Sequence, residues 1–376
     1  MSVAIDSSAY FVDRVRSAVA TSTPLRIRGG GSKDFYAQSL QGELLDTTAL
    51  AGITSYEPSE LVVTAGAGTP LRELEALLAA HGQCLPFEPP HFSATSTFTS
   101  TSTSTVGGVV ASGLSGPARA SVGGVRDYML GVKLINGKAE HLTFGGQVMK
   151  NVAGYDVSRL MAGSMGTLGL ITEVSIKVLP VAPLEATLRF ECSQAQALQW
   201  LHTWGGQPLP LNASCWLEEN GVGTLYLRLR GAVAAVEAAC KTLGGERQGP
   251  QAAGDWQACR DQQLPWHQAR SSTQDLWRLS LPQTTPVLDL PDSPLIEWHG
   301  GLRWVRAAAA HGPALRAAAQ SAGGHATLFI ASGLSESCGS PRFDALKSPL
   351  DRIHKALKHE FDPAGIFNPQ RLSAHW

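Results

Sequence analysis

The chain has 376 residues, a formal net charge of −1 and only 16% charged residues. This length predicts at least two domains. The chain has no basic excess that would indicate a nucleic-acid partner and no basic amphipathic stretch that would indicate a membrane surface. The start of the chain lacks the apolar core of a secretory signal, and no stretch reaches the roughly 18 uninterrupted apolar residues of a membrane helix, so we expect a cytoplasmic protein that reaches the inner face of a membrane only through a partner.

The first predicted element is a short strand over 25–28 that runs into three consecutive glycines. Leu25 and Ile27 alternate with arginines, which is typical of a half-buried strand. Glycine adopts backbone angles that are closed to other residues, and successive N–H groups in such a turn can bind an anion. Arg28 and Lys33 flank the turn with positive charge. These residues alone fit a pyrophosphate-binding turn and a tight surface turn equally well, and they match neither G-x-G-x-x-G nor the P-loop pattern.

Strands and helices mix from there to about residue 180. The predicted elements are a strand over 61–68, a helix over 69–82, a β-hairpin over 127–144 and a strand over 168–180. Thr69 is the predicted N-cap of the helix, and Asn136-Gly137 the turn of the hairpin. The serine- and threonine-rich segment 93–106 is predicted to be a flexible polar loop, although its far end adjoins a glycine-rich stretch. Two prolines in segment 179–188 mark a predicted domain boundary.

The second half of the chain has a different pattern, and all nine tryptophans lie at or beyond position 200. The predicted elements are a strand over 185–191, a helix over 193–204, strands over 215–219 and 224–231, a helix over 232–243, strands over 276–282, 301–307 and 326–331, and a helix over 348–361. This order favours an antiparallel sheet with helices on one side. On the last helix, Leu350, Ile353, Leu357 and Phe361 fall on one face.

The glycine-rich stretches become specific when they are taken together. RIRGGGSK (26–33), TVGGVVASGLSG (105–116), VGGVRDYMLGV (122–132) and MAGSMGTLGLITEVSIKVLP (161–180) resemble the FAD-binding domain of the vanillyl-alcohol oxidase and p-cresol methylhydroxylase (PCMH) superfamily. Within it, EPPH (88–91), residues 145–169 and DPAGIFNPQRL (362–372) resemble the FAD-binding subunits of bacterial glycolate oxidase. The Ser/Thr segment departs from those subunits, which have a shorter link there.

The resemblance implies an α+β fold in three parts. A PCMH-type two-part FAD-binding domain covers 1–180, and a ferredoxin-like antiparallel cap domain with helices on one side covers 181–335. A C-terminal helix and tail over 336–376 return to the FAD-binding domain.

The resemblance also implies which residues bind the cofactor. FAD is expected to be noncovalent, because Ser32 stands where some relatives attach the flavin through a histidine. The residues that it assigns to FAD are Arg28, Gly29, Gly30, Gly31, Ser32, Lys33, Pro86, Thr105, Val106, Gly107, Gly108, Ser112, Gly113, Gly124, Asp127, Gly169 and Ile171.

Oxidation of a 2-hydroxy acid requires a cation for the carboxylate, a base for the hydroxyl proton and a hydride acceptor. Arg278 and Arg303 are candidates for the cation, and His325, which follows two glycines, is a candidate for the base. The ordinary interpretation is structural for each of them, since strand arginines usually face solvent or pair with acids and a lone histidine usually has a structural role. The polar group Lys150, Asn151, Tyr155 and Arg159 either lines the flavin pocket or satisfies backbone groups.

Two motifs of related D-2-hydroxy-acid dehydrogenases, H-G-D-G-N-x-H and E-H-G, do not occur, so no metal site is expected. The six cysteines include no C-x-x-C pair, which argues against an iron–sulfur cluster on this chain.

Three functions remain open. The chain could be the FAD-carrying subunit of a glycolate oxidase, working beside a second FAD-containing catalytic subunit and an iron–sulfur subunit. It could be a self-sufficient flavin oxidase of a small 2-hydroxy acid or alcohol, or a noncatalytic assembly subunit that retains the fold. The missing metal motifs weigh against the second function, and the intact glycine turns weigh against the third.

Overall fold

The computed structural model describes residues 7–38, 40–93, 102–146, 155–219 and 221–373. In chain order its helices are α1 (Ser7–Thr21), α2 (Leu71–Ala80), α3 (Val106–Ser112), α4 (Arg119–Val122), α5 (Val125–Tyr128), α6 (Val157–Leu160), α7 (Gln194–Gly205), α8 (Val233–Leu243), α9 (Ala252–Arg260), α10 (Pro265–Gln268), α11 (Gly312–Ser321), α12 (Gly333–Ser337) and α13 (Leu350–Phe361). Short 3₁₀ helices lie at Pro58–Glu60, Trp298–Gly300 and Ala309–His311. None of the helices in the described ranges is both long enough and apolar enough to cross a membrane.

The strands follow the same numbering. They are β1 (Leu25–Arg28), β2 (Glu43–Asp46), β3 (Ile53–Glu57), β4 (Val62–Gly66), β5 (Gln83–Cys84), β6 (Met129–Ile135), β7 (His141–Gly145), β8 (Leu170–Lys177), β9 (Leu179–Pro180), β10 (Leu184–Glu191), β11 (Leu211–Glu219), β12 (Val222–Gly231), β13 (Glu246–Arg247), β14 (Gln274–Ser280), β15 (Leu295–Glu297), β16 (Leu302–Ala308) and β17 (His325–Ile330). The chain forms two compact units: Met1–Leu114, Gly124–Pro180 and Ala345–Trp376 make the first, and Ser115–Gly123 and Val181–Asp344 make the second.

The first unit is built on a five-stranded antiparallel sheet in the order β3-β4-β8-β6-β7. Apolar residues at helical spacing on α2 and α3 pack against this sheet and form its main core. A separate parallel pair, β1 and β2, packs against α1 in a second core. The predicted strand over 25–28 is therefore confirmed, and so is the hairpin, which β6 and β7 form.

Two boundaries differ from the sequence predictions for local reasons. Helix α2 begins at Leu71 with Pro70 as its N-cap, because the hydroxyl of Thr69 instead bonds to the backbone of Gly52. The hairpin turn takes five residues, 136–140, because the side-chain oxygen of Asn136 accepts hydrogen bonds from the N–H groups of residues 138 and 140.

The second unit is an eight-stranded antiparallel sheet in the order β13-β10-β12-β11-β15-β16-β14-β17. Its first half runs β10-α7-β11-β12-α8-β13, which is the ferredoxin-like order. Helices α7 and α8 pack on one face of this half. Helix α9 contacts the opposite face, where the indole of Trp256 donates to Thr187 and lies against the guanidinium of Arg228, so helices are present on both sides.

The last helix, α13, belongs to the first unit. Only part of its predicted apolar face is buried: Leu357 and Phe361 pack against the main core, whereas Leu350 and Ile353 are about half exposed, at 52% and 49%. The buried ammonium of Lys358 holds the turn that follows, with its Nζ 2.6 Å from a carboxylate oxygen of Asp362. The chain after α13 therefore turns back onto the first unit.

Candidate cofactor site

The glycine turn after β1 lies directly against residues 102–105, at the far end of the Ser/Thr segment. A Cβ on Gly30 would stand 1.6 Å from the carbonyl oxygen of Thr103, and a Cβ on Gly29 would stand 2.4 Å from the hydroxyl of Thr105. Gly31 has a φ of 70°, which a residue with a side chain rarely adopts. Each glycine is therefore required by the protein's own packing, in addition to any ligand that approaches the turn.

The turn forms one wall of an open cleft in the first unit. Four cationic side chains and one carboxylate are among the lining residues, namely Arg26, Arg28, Lys33, Arg371 and Asp34. The guanidinium of Arg28 pairs with Asp34 at 2.7 Å, so its charge is partly balanced. The cleft is thus net positive and suits an anionic ligand.

Lys33 is the most unusual cation of the cleft. It is only 8% exposed, and its ammonium donates to the hydroxyls of Ser32, at 3.2 Å, and Ser104, at 3.1 Å. No carboxylate in the described part of the chain pairs with it. Burial lowers the pKa of Lys33 from 10.5 to about 8. The ammonium also lies over the ring of Phe92, 5.9 Å from its centre. An ammonium buried without a carboxylate partner is costly until an anion neutralises it.

A second cation of the cleft also lacks a full set of partners. Within the described residues, the buried Nε of Arg26 has no hydrogen-bond partner. Buried polar groups in folded proteins are nearly always bonded, so this group and Lys33 both fit a cleft built to receive acceptor oxygens.

The C-terminal tail completes the cleft, and sequence reasoning did not assign its residues to the site. The side chain of Asn368 accepts from the N–H of Ile27 at 2.8 Å and donates to the carbonyl of Met165 at 2.6 Å. The buried guanidinium of Arg371 donates to the carbonyls of residues 33, 34 and 38 at 3.0–3.2 Å. The stretch DPAGIFNPQRL, which carried part of the family resemblance, was the signal that could have identified both residues.

The structure brings about half of the predicted cofactor residues together in this cleft. The members that line it are Arg28, Gly29, Gly30, Gly31, Ser32, Lys33, Thr105, Gly108 and Ser112. The members that do not line it are Pro86, Val106, Gly107, Gly113, Gly124, Asp127, Gly169 and Ile171.

Several of the residues outside the cleft have structural roles in the first unit. Val106 is buried in the main core, and Gly113 ends α3 with a φ of 65°. A carboxylate oxygen of Asp127 accepts from the N–H of Gly124 at 2.8 Å and so begins α5. Gly107 leaves room for the backbone of Ala67, which a Cβ would approach to 2.9 Å.

The predicted polar group near residue 150 is only partly described. Lys150 and Asn151 lie outside the described residues. Tyr155 is 97% exposed, and Arg159 pairs with Asp156 at 3.0 Å. Neither of these two lines the cleft.

The three catalytic candidates all lie in the second unit. Arg303 is fully buried, and its guanidinium donates to the carbonyls of Thr285 and Pro286. In this position it anchors the connection before β15 and is closed to a small-molecule ligand.

Arg278 and His325 remain accessible. The guanidinium of Arg278 lies 5.0 Å from the ring centre of Trp298. His325 is in the adjacent strand, where it pairs with Ser280. Burial, followed by the charge of Arg278, lowers the pKa of His325. The described residues contain no group of three or more His, Cys, Asp or Glu side chains that could hold a metal ion.

Comparison with known proteins identifies a family model for the N-terminal part of the chain and a relative of nearly the whole chain. Residues 2–145 match the family model of an FAD binding domain. The chain is 44% identical over 369 residues to glycolate oxidase subunit GlcE of Escherichia coli, covering 98% of both proteins. It is 32% identical over 166 residues to a D-lactate dehydrogenase of Archaeoglobus fulgidus, covering 42% of this chain and 34% of the relative.

Two further comparisons are more distant. Glycolate oxidase subunit GlcD of Bacillus subtilis is 38% identical over 85 residues, covering 23% of this chain and 18% of that protein. Among solved structures, alkyldihydroxyacetonephosphate synthase superposes with a TM-score of 0.63 at 15% identity, covering 96% of this chain and 75% of the other. At that identity the likeness shows the fold alone.

Proposed function

This chain belongs to the family of glycolate oxidase subunits GlcE, and on that premise we propose that it is the FAD-carrying subunit of a multisubunit oxidase that converts glycolate to glyoxylate. In this proposal its partners are a second FAD-containing catalytic subunit and an iron–sulfur subunit. The chain carries FAD for electron transfer or for assembly of the complex.

The observation that carries the proposal is the buried ammonium of Lys33. A buried positive charge that has two hydroxyls and the ring of Phe92 beside it but no carboxylate, at a glycine turn in an FAD binding domain, is best explained by a phosphate group that neutralises it when the cofactor binds. Lys33, Arg26 and the N–H groups of the glycine turn would hold the pyrophosphate, with Arg28 contributing the charge that Asp34 leaves unbalanced. When bound, FAD supplies the acceptor for a hydride or for electrons.

The first test is the absorbance spectrum of the purified chain after incubation with FAD and removal of free flavin. We expect a flavin spectrum at near-equimolar occupancy. A colourless protein that also fails to quench FAD fluorescence would contradict the proposal.

The second test measures glycolate-dependent dye reduction by the chain alone, by the partner subunits alone and by all of them together. We expect negligible turnover by the chain alone, because a missing general base typically costs ~10²–10⁴-fold in rate. Activity should appear only in the full mixture. Equal activity of the partners with and without this chain would remove its role in the complex.

Arg278 favours one alternative, in which this chain also binds the carboxylate of the substrate. No carboxylate or carbonyl among the described residues pairs with the guanidinium of Arg278, which lies against the ring of Trp298. A second guanidinium, that of Arg119, lies 4.6 Å from the centre of the same ring. Trp298 holds this position with a φ of 54° and an indole hydrogen bond to the carbonyl of Gly116 at 3.0 Å. A fixed positive group of this kind suits a small carboxylate.

The alternative is tested by mixing the FAD-loaded chain alone with glycolate and following the flavin absorbance. Rapid bleaching that Arg278→Met slows and Arg278→Lys partly restores would place substrate binding on this chain. Unchanged absorbance, together with activity in the full mixture, would leave the electron-carrying role.

A further inference from the structure

The C-terminal tail, residues 366–371, is held to the two sides of the glycine turn by different groups. On the strand side, the N–H of Leu25 donates to the carbonyl of residue 366 at 2.7 Å, and the N–H of Asn368 donates to the carbonyl of Leu25 at 2.9 Å. The tail therefore pairs with β1 along the edge that β2 leaves open. The strand that leads into the turn depends on the tail for part of its backbone hydrogen bonding.

On the far side of the turn, most contacts come from Arg371, whose backbone carbonyl accepts from the N–H of Gln38 at 3.0 Å. The guanidinium of Arg371 is 5% exposed and reaches three backbone carbonyls, those of Lys33, Asp34 and Gln38. The guanidinium reaches these carbonyls from two nitrogens in a fixed fork, Nη1 to Gln38 and Nη2 to Lys33 and Asp34, whereas a lysine would have to reach all three from one nitrogen. Arg371 thereby fixes the backbone that carries the buried ammonium of Lys33.

The base of the tail is anchored independently of the cleft. The ammonium of Lys358 bonds to Asp362 and to the carbonyls of Thr167 and Phe367, at 2.6, 2.8 and 2.9 Å. The anchor and the N–H bonds of Ile366 and Phe367 to Asp362 keep residues 366 and 367 next to β1, so only residues 368–371 can separate from the turn without unfolding α13.

We propose that residues 368–371 form a latch whose docking on the glycine turn is thermodynamically coupled to FAD binding, with Arg371 as its positioning residue. The inference rests on the proposed function, because it takes FAD as the ligand of the cleft. We take the docked latch to be the state in which the turn and Lys33 are positioned to bind FAD. Docking then raises the affinity for FAD by some factor, and bound FAD must raise the equilibrium constant for docking by the same factor. Coupling of this kind is typically about 5–150-fold.

Trypsin provides a direct measurement of latch opening. Trypsin cleaves after an arginine whose side chain enters its specificity pocket, so cleavage after Arg371 requires this side chain to leave its three carbonyls. We expect saturating FAD to slow release of the peptide that begins at Leu372 by at least about tenfold. Cleavage after Arg247, an exposed residue of the second unit, is the internal control and should change less than twofold.

Variants test the reverse direction of the coupling. Arg371→Met should weaken FAD binding, measured by quenching of flavin fluorescence, about tenfold or more, and Arg371→Lys should weaken it less. Glu360→Gln is the matched control, because it removes an exposed ion pair of α13 with Lys138 and should leave the affinity unchanged. If Arg371→Met does not fold, the trypsin measurement on the wild-type chain still decides.

The outcomes separate the two proposals. A wild-type chain that binds FAD, with the same cleavage rate after Arg371 in the presence and absence of FAD, would overturn the latch and leave the proposed function intact. An unchanged FAD affinity in a folded Arg371→Met variant would do the same. A wild-type chain that binds no FAD would overturn the proposed function and the latch with it.

Discussion

Replacing Lys33 with methionine should change the stability of the apoprotein and its affinity for FAD in opposite directions. Burial lowers the pKa of Lys33 from 10.5 to about 8, and each unit of pKa corresponds to about 1.4 kcal/mol. The folded-state pKa lies below the unfolded value, so below pH 8 the charged lysine destabilises the folded chain by about 3 kcal/mol. That cost falls as the pH rises from 8 towards 10.5.

Methionine removes this cost and keeps the apolar stem. The hydroxyls of Ser32 and Ser104 are not left without partners, since they lie 3.1 Å apart and bond to each other. At pH 7 we expect the free energy of unfolding of the FAD-free variant to exceed that of the wild type by about 2–3 kcal/mol. The same change removes a charge-assisted contact to phosphate, so FAD affinity should fall about 10–100-fold.

The assay is urea denaturation of both apoproteins at pH 7, together with FAD titration followed by flavin fluorescence. Lys138→Met is the matched control, because Lys138 is an exposed lysine whose ammonium lies 3.0 Å from Glu360. It should change neither quantity appreciably. A Lys33→Met apoprotein that is less stable than the wild type, or that keeps full FAD affinity, would refute the assignment of Lys33 as an unneutralised phosphate ligand.

Four further outcomes are expected. FAD affinity of the wild type should fall as the pH rises above about 8, because binding must then restore a proton to Lys33, and Lys33→Met should show no such slope in the same titration. His267 is buried with a pKa lowered to about 3 by desolvation, so the free energy of unfolding should fall as the pH drops below about 6.5, and less steeply in His267→Phe during urea denaturation. Gly30→Asp should strip the flavin, because it adds both a Cβ that meets the carbonyl of Thr103 and a carboxylate that repels phosphate. Gly30→Ala adds only the Cβ and should reduce flavin occupancy nearly as much; an alanine variant with full occupancy would contradict this packing. Acid precipitation should release all flavin into the supernatant, and flavin in the washed pellet would reveal a covalent bond.

Local patterns were sufficient to predict most of the secondary structure. The alternation before the glycine turn predicted β1, and the strand–helix order of the second half predicted an antiparallel sheet. The ferredoxin-like character of this sheet was implied by the family resemblance. The predicted N-cap at Thr69 was wrong because its hydroxyl has a tertiary partner, the backbone of Gly52, which no local pattern can reveal.

The candidate site was less predictable, because its geometry depends on contacts that are distant in sequence. Arg303 on its strand could not be distinguished from a ligand-binding arginine until its carbonyl partners were known. The burial of Lys33 depends on Ser104, 71 positions away. Arg371 is separated from the carbonyls it holds by more than 330 positions. The sequence shows which residue types are present, but only the folded chain shows which of their donor and acceptor groups already have hydrogen-bond partners within the protein.

The three glycines of the turn illustrate how one motif can meet several requirements at once. Gly29 and Gly30 allow residues 102–105 to approach, whereas Gly31 supplies a left-handed backbone and leaves room for the guanidinium of Arg28. A surface turn would need only the last of these properties. The close approach of residues 102–105 is what brings the hydroxyl of Ser104 to Lys33 and buries its charge. The need for glycine and the need for an anion therefore have one structural origin, and a substitution that opens the turn should also restore the ordinary pKa of Lys33.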